Sequence, residues 1–239
     1  MLILGIETSS RAGSVALVDG DRVVSERDLH ATGRRHARSL VPEIGRLFDS
    51  ERLTFEQVDA IAVSIGPGSF TGLRVGVACA KTLGYALRKP VVAVDTFLSI
   101  AAATVDPEPS CWVLDDALRG EVFCGRYLRG PQGWECDARP KLMSLDSWKS
   151  LVEEGELITG PAVVRFRSQL EGLRLAFEGD AIPHATSIAR VGGELLTGTD
   201  PHDFWKIEPN YIRRSAAEEK AGVVIETDLM GGEILANGE

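Results

Sequence analysis

No CxxC pair occurs among the four cysteines (Cys79, Cys111, Cys124, Cys136), which excludes a zinc knuckle and a thioredoxin-like redox motif. The four histidines (His30, His36, His184, His202) form neither HxxxH nor HExxH, so a self-contained histidine metal site is not encoded. A GxSxG nucleophile elbow is also missing. No apolar run approaches the ~18 residues of a membrane span. Met1 to Ile6 is too short, and has too little positive charge, to be a signal peptide. Basic residues are in deficit, 26 against 35 acids, and the net charge of -9 argues against broad non-specific nucleic-acid binding, though not against a local patch. A cytoplasmic protein without membrane contact is expected, with its thiols serving as small buried hydrophobes.

The chain is long enough to bury ~70% of its unfolded surface without staples. Leu2–Ile6 and Ser14–Val18 are apolar, Arg22–Arg27 alternates, and Asp19-Gly20 suits a turn, which predicts three hairpin-linked strands. Ala37, Leu40, Val41, Ile44, Leu47 and Phe48 recur at the 3, 4 spacing of one helical face. Pro42 lies among them, either in a first turn capped by Ser39 or at a kink. Next come a strand (Ile61–Ile65), a glycine-rich loop (Gly66–Gly72), a helix (Leu73–Leu87), a buried strand (Val91–Val94) and a small helix reaching about Ala103. Asp106-Pro107-Glu108-Pro109 reads as a hinge.

Beyond the hinge the pattern begins again. Cys111–Leu114 and Glu121–Arg129 read as strands, Leu145–Val152 as a helix and Leu157–Thr159 as a strand. A helix at Val163–Leu170, a strand at Leu173–Phe177 and a helix at Ile188–Leu196 complete it. A carboxylate closes the first strand of each half (Glu7, Asp115). The expectation is an α/β protein of two related lobes, 1–105 and 106–217, facing each other across a cleft, with a tail at 218–239.

A glycine-rich turn before a helix raises the thought of a phosphate cradle. Gly66-Pro67-Gly68-Ser69-Phe70-Thr71-Gly72 fails the specific tests, because Leu73-Arg74 replaces the Lys-Ser/Thr of a P-loop and the glycines give GxGxxxG. A backbone cradle and a tight strand-to-helix corner both remain open. Gly72, Gly76, Ala80 and Gly84 recur every four residues. Interior glycine costs a helix ~1 kcal/mol relative to alanine, so this bare stripe needs a backbone packed closely against it. That backbone belongs either to the protein's own sheet or helices, or to another subunit. Glu7 and Asp115, with Thr8 and Ser9 beside Glu7, either form a nucleotide cleft holding magnesium or make strand-end turn hydrogen bonds. Arg34, Arg35 and Arg38 form a basic cluster, either a solvated helix start or a contact for an acidic partner or RNA.

Four islands carry a resemblance: Ile6-Glu7-Thr8-Ser9; Gly66 to Gly76 (GPGSFTGLRVG); Asp116 to Phe123 (DALRGEVF); and Pro209 to Arg214 (PNYIRR). In that order they resemble the TsaB (YeaZ) family, up to about Ala217. The resemblance implies the two-lobed ASKHA fold of actin, hexokinase and Hsp70. It also implies a part in synthesising threonylcarbamoyladenosine beside the anticodon of ANN-reading tRNAs. There the family member is the non-catalytic partner of the TsaD transferase, the TsaE ATPase joins the assembly, and tRNA is met only indirectly. No cofactor is implied beyond weak ATP or ADP with magnesium. In the catalytic relatives two histidines four apart bind a metal; the aligned positions here are Thr96 and Ile100, which cannot replace imidazole. The resemblance places Leu40, Val41, Ile44, Leu47, Phe48, Gly72, Gly76, Ala80 and Gly84 at the surface shared with TsaD, or with a second copy in a homodimer. The competing expectation is an enzyme, an M22-type peptidase or an ATP-dependent phosphotransferase using Glu7 and Asp115.

Overall fold

A computed structural model of the chain describes residues 1–29, 36–104, 109–131, 133–196 and 203–213. β1 (Leu2–Glu7), β2 (Ser14–Asp19), β3 (Arg22–Asp28), β4 (Ala60–Gly66) and β5 (Val91–Asp95) form one sheet in the order β3-β2-β1-β4-β5. β6 (Ser110–Leu118), β7 (Glu121–Gly130), β8 (Gly133–Ser144), β9 (Leu157–Thr159) and β10 (Arg174–Leu175) form a second in the order β10-β9-β6-β7-β8. Each sheet has the same order, third-second-first-fourth-fifth. In each, the first strand runs antiparallel to the second and parallel to the fourth. The duplication expected from the sequence is therefore real, and the fold is the two-lobed ASKHA architecture.

Strand alternation decides which side chains reach which layer. In the first sheet Leu4, Ile6, Leu17, Ile61 and Val63 face α1 (His36–Glu51) and α2 (Phe70–Leu87). The alternate residues Ile3, Ala16, Val18, Ala62 and Val94 face α6 (Ala185–Leu195). Residues 185–195, assigned to the second lobe by the sequence reading, thus pack on the first. Burial, not chain order, places them: Ile188 and Ala189 are fully buried against this face of the first sheet. Cys111, Val113, Phe123 and Tyr127 of the second sheet meet α3 (Thr96–Ala103), while its other face packs on Trp148 of α4 (Leu145–Lys149) and Val163 of α5 (Ala162–Arg165).

Two further readings change. α1 begins at His36, so Pro42 is interior to it rather than in its first turn. Buried Glu43 ties α1 to β3 by accepting from Arg27 at 2.9 Å, and also pairs with Arg46. β8 has no counterpart among the predicted strands; it is a sheet edge on which Glu135, Asp137, Arg139 and Lys141 stand exposed, and Pro140 is tolerated there because an edge strand can spare an N–H. Arg34, Arg35 and the 218–239 tail lie outside the described residues. Among those described, no helix is long and apolar enough to cross a membrane.

The largest correction concerns the small-residue stripe. Gly72, Gly76, Ala80 and Gly84 are buried within the lobe. A methyl group at position 72 would overlap the carbonyl oxygen of Thr8, at 76 the Thr8 hydroxyl, and at 84 the Val91 side chain. The clearance serves the end of β1 and the start of β5. Leu40, Ile44, Leu47 and Phe48 are likewise core, each at 2% exposure or less, whereas Val41 is 68% exposed. Of the residues expected at a partner surface, only Val41 is free to meet one.

Gly72→Ala should therefore lower the unfolding free energy by about 3 kcal/mol in urea titration, because backbone must move to admit the methyl. Ala78→Leu, on the exposed face of α2, should stay within about 0.5 kcal/mol of the parent.

Candidate functional site

The two lobes meet at the ends of β1 and β6. Glu7 is fully buried, and its Oε1 accepts from the Ser9 N–H and hydroxyl, both at 2.5 Å, and from the Ser10 N–H at 3.2 Å. Those bonds fold the β1–β2 connection over the carboxyl, which explains why Glu-Thr-Ser stands at a strand end. Oε2 and the Thr8 hydroxyl have no hydrogen-bond partner. Burial pushes the Glu7 carboxyl above its ordinary range, against the opposing pull of the serine hydrogen bonds.

Asp115 sits across from it. Its Oδ1 accepts the Asp116 N–H at 2.8 Å. Burial, with the like charges of Asp116 and Glu7, pushes its pKa up to about 6. The cleft beside it encloses about 820 Å³, with Ser9, Ser10, Gly68, Phe70, Asp115 and Tyr211 among its walls. Of the four residues grouped at this cleft by the sequence, Ser9 and Asp115 line it. Glu7 and Thr8 do not; both are sealed beneath the turn. An acid so enclosed, with one oxygen saturated by its own turn, is a poor magnesium ligand. Among the described residues no three metal-binding side chains cluster.

The glycine-rich loop is bound by its own protein. Ser69 N–H donates to the Ser9 carbonyl at 2.6 Å, and Ser69 Oγ caps α2 by accepting from Gly72 N–H at 3.3 Å. Gly66 (φ +115°) and Gly68 (φ +154°) flank a cis Gly66–Pro67 peptide, and side chains there would strike Asn210 and Ser9. The N–H groups of Gly66, Ser69, Gly72 and Leu73 are thus engaged in the corner itself.

The PNYIRR motif explains part of that engagement. Asn210 N–H donates to the Ile65 carbonyl at 2.6 Å, and Tyr211 stacks on Phe70 with ring centroids 4.5 Å apart. Ile212 joins the core of the second lobe, and Arg213 bonds the Ala117 carbonyl and Glu121 (2.6 Å to Oε2). This strap fastens one lobe to the other. A second tie is Tyr127 of β7, whose hydroxyl lies 3.1 Å from both oxygens of Asp95, the N-cap of α3. The strap's residues stand out in the sequence as a motif, but neither tie is readable there.

At the start of α3 the decisive positions are filled structurally. Thr96 Oγ1 accepts the Gly66 N–H at 3.2 Å, and Ile100 is fully buried in the second lobe's core. One is occupied and the other has no donor, so these residues do not fit a metal.

A family model described as TsaD, tRNA N6-adenosine threonylcarbamoyltransferase, matches residues 26–180. The tRNA threonylcarbamoyladenosine biosynthesis protein TsaB of Haemophilus influenzae is 31% identical over 92% of this chain and 97% of its own length. The chain belongs to this family, in its TsaB group. A Solidesulfovibrio magneticus protein named as the transferase is 41% identical across 91% of this chain and 68% of its own length. The structure of YeaZ from Pseudomonas aeruginosa shares the fold, with a TM-score of 0.73 and 23% identity over 88% of this chain and 99% of that one.

Because the folded state raises the Asp115 pKa, it holds a proton that the unfolded chain releases between about pH 4 and 6. Stability attributable to this group therefore falls as pH rises through that window and is flat above it. Asp115→Asn should remove that slope and stabilise the protein at pH 7 by about 2 kcal/mol, read as a rise of several degrees in Tm. An unchanged pH profile would contradict the burial argument.

Proposed function

We propose that the chain is a non-catalytic subunit of the system that makes threonylcarbamoyladenosine in tRNA, holding a TsaD-type transferase through the outer faces of α1 and α2. The observation carrying this reading is the start of α3, where Thr96 is committed to the glycine loop and Ile100 to the core. Chemistry then falls to a partner that has the ligands this chain lacks. Peptidase chemistry of the M22 kind loses the same pair. A phosphotransferase reading is weakened by the seal over Glu7.

The surface follows from what α1 and α2 leave uncovered. With its glycine face turned inward, α2 exposes Ala78 and Thr82 and half-exposes Val75 and Cys79, while α1 exposes Val41 beside Arg38 and Pro42. The short neutral side chains of Val41, Pro42, Ala78 and Thr82 let another helix approach closely. Without the transferase the same faces pair two copies of the chain, and the TsaE-type ATPase joins the larger assembly. Nucleotide, if bound at all, sits weakly against Ser9 and Asp115 and takes no part in holding the partner.

A double variant, Val41→Arg with Ala78→Arg, should weaken association with the transferase about 30-fold or more, the scale of an interface hot spot, while the monomer keeps its melting temperature. Gel-filtration co-elution and restoration of tRNA modification are the readouts. Undiminished association would end the proposal.

A further inference from the structure

The remaining flank of α2 has a different character from its neutral outer face. Phe70, Arg74, Lys81 and Tyr85 fall within a sector about 60° wide at 3.6 residues per turn, and Arg88 follows at the C-cap. The segment 203–213 runs beside this flank. Trp205 lies against Tyr85 (centroids 5.7 Å apart), and its carbonyl accepts from Lys81 Nζ at 2.7 Å. At the other end Tyr211 stacks on Phe70, with the Arg74 guanidinium 5.1 Å over the Phe70 ring. Two aromatic pairs therefore stand about 22 Å apart along one helix, with cations between and beyond them.

Their exposure and charge both run against the rest of the molecule. Tyr85 is 68% and Trp205 60% exposed, although rings of that size gain most by burial. From Ala60 to Val94 the chain contains no Asp or Glu, while the whole chain has 35. The carboxylates contributed by the facing segment are Asp203, paired with Lys206 at 2.9 Å, and Glu208. An acidic protein thus presents an acid-free helix flank on which cations lie between and beyond two aromatic pairs, one of them, Tyr85 with Trp205, largely exposed. Base stacking on aromatics flanked by phosphate-neutralising cations is the chemistry of single-stranded nucleic acid binding.

We propose that this flank of α2, with Trp205, contacts unpaired nucleotides of the substrate tRNA directly. The inference rests on the reading that the chain acts in tRNA modification. It departs from the expectation that tRNA is met only through the transferase. One strand carries a charge about every 3.4 Å when stacked, so the span between the aromatic pairs accommodates roughly six nucleotides. Coulombic attraction is supplied by Arg74, Lys81 and Arg88 and is sensitive to salt.

The test titrates an unmodified transcript of an ANN-reading tRNA into the full chain, alone and with its transferase. Binding is followed by tryptophan emission and by filter retention at several salt concentrations. Trp112 and Trp148 are buried and Trp134 is half-buried on β8, so only the quenching that disappears in Trp205→Phe reports on this site. Arg74→Gln with Arg88→Gln should weaken tRNA binding about tenfold and lower the salt slope by roughly two, with co-elution of the transferase unchanged. Unaltered tRNA affinity and slope would overturn the inference. Loss of co-elution in that variant would overturn it too, assigning the flank to protein contact. Failure of the parent chain to bind the transferase would count against the functional reading alone, because the isolated chain is titrated in parallel.

Discussion

The contact on which most of the structure depends is that between the N-terminal half of α2 and the end of β1. With no side chains at positions 72 and 76, the helix settles directly on Thr8. That approach fixes the Gly66–Gly72 corner, and the corner in turn receives Ser9 on one side and Asn210 on the other. Glu7 is buried by the same approach, and the lost hydration that raises its pKa is part of the cost. Had the stripe carried alanines and leucines, α2 would stand off the sheet. The turn would then have no loop to bond, and the strap no carbonyl at Ile65 to reach.

Much of the architecture was legible because strand burial leaves a strong signature. Leu2–Ile6, Ser14–Val18, Ile61–Ile65 and Val91–Val94 are covered on both faces and read as continuous apolar runs. The repeat of that pattern after residue 110 was enough to infer two lobes. β8 left no such trace, since an exposed edge mixes Glu135, Asp137, Arg139 and Lys141 with a proline. α6 read clearly as a helix, but the sequence carries no statement of which sheet a helix will cover.

The candidate site was legible in its residues and not in their orientation. Spacing alone identified Gly72, Gly76, Ala80 and Gly84 as a stripe demanding a close neighbour, and left open whether that neighbour was internal. The deciding quantity is the position of Thr8, sixty-four residues from Gly72 in sequence and in contact with it in space. Val41 escaped the core because it faces away from Leu40 and Ile44, a matter of helix phase that a run of apolar residues hides. Tyr127 and Asp95 carried no readable signal, because an inter-lobe hydrogen bond joins elements with no shared motif. The start of α3, by contrast, could be read without knowing orientation, because neither Thr96 nor Ile100 can supply an imidazole.

Together these features describe a protein whose two lobes are tied to each other by a strap and a tyrosine beside an open cleft, and whose proposed partner surface is the side of α1 and α2 turned away from the sheet. Thiol footprinting tests that division most directly. In a Cys79→Ser, Cys136→Ser background the remaining Cys111 and Cys124 are fully buried and, with pKa values pushed up to about 12 and 11, poorly nucleophilic. A single probe is then placed by Thr82→Cys on the outer face of α2, or by Arg11→Cys at the mouth of the cleft. Adding the transferase should slow alkylation of the first and leave the second unchanged. Protection at position 11 with free labelling at 82 would contradict the account and return the function to the cleft.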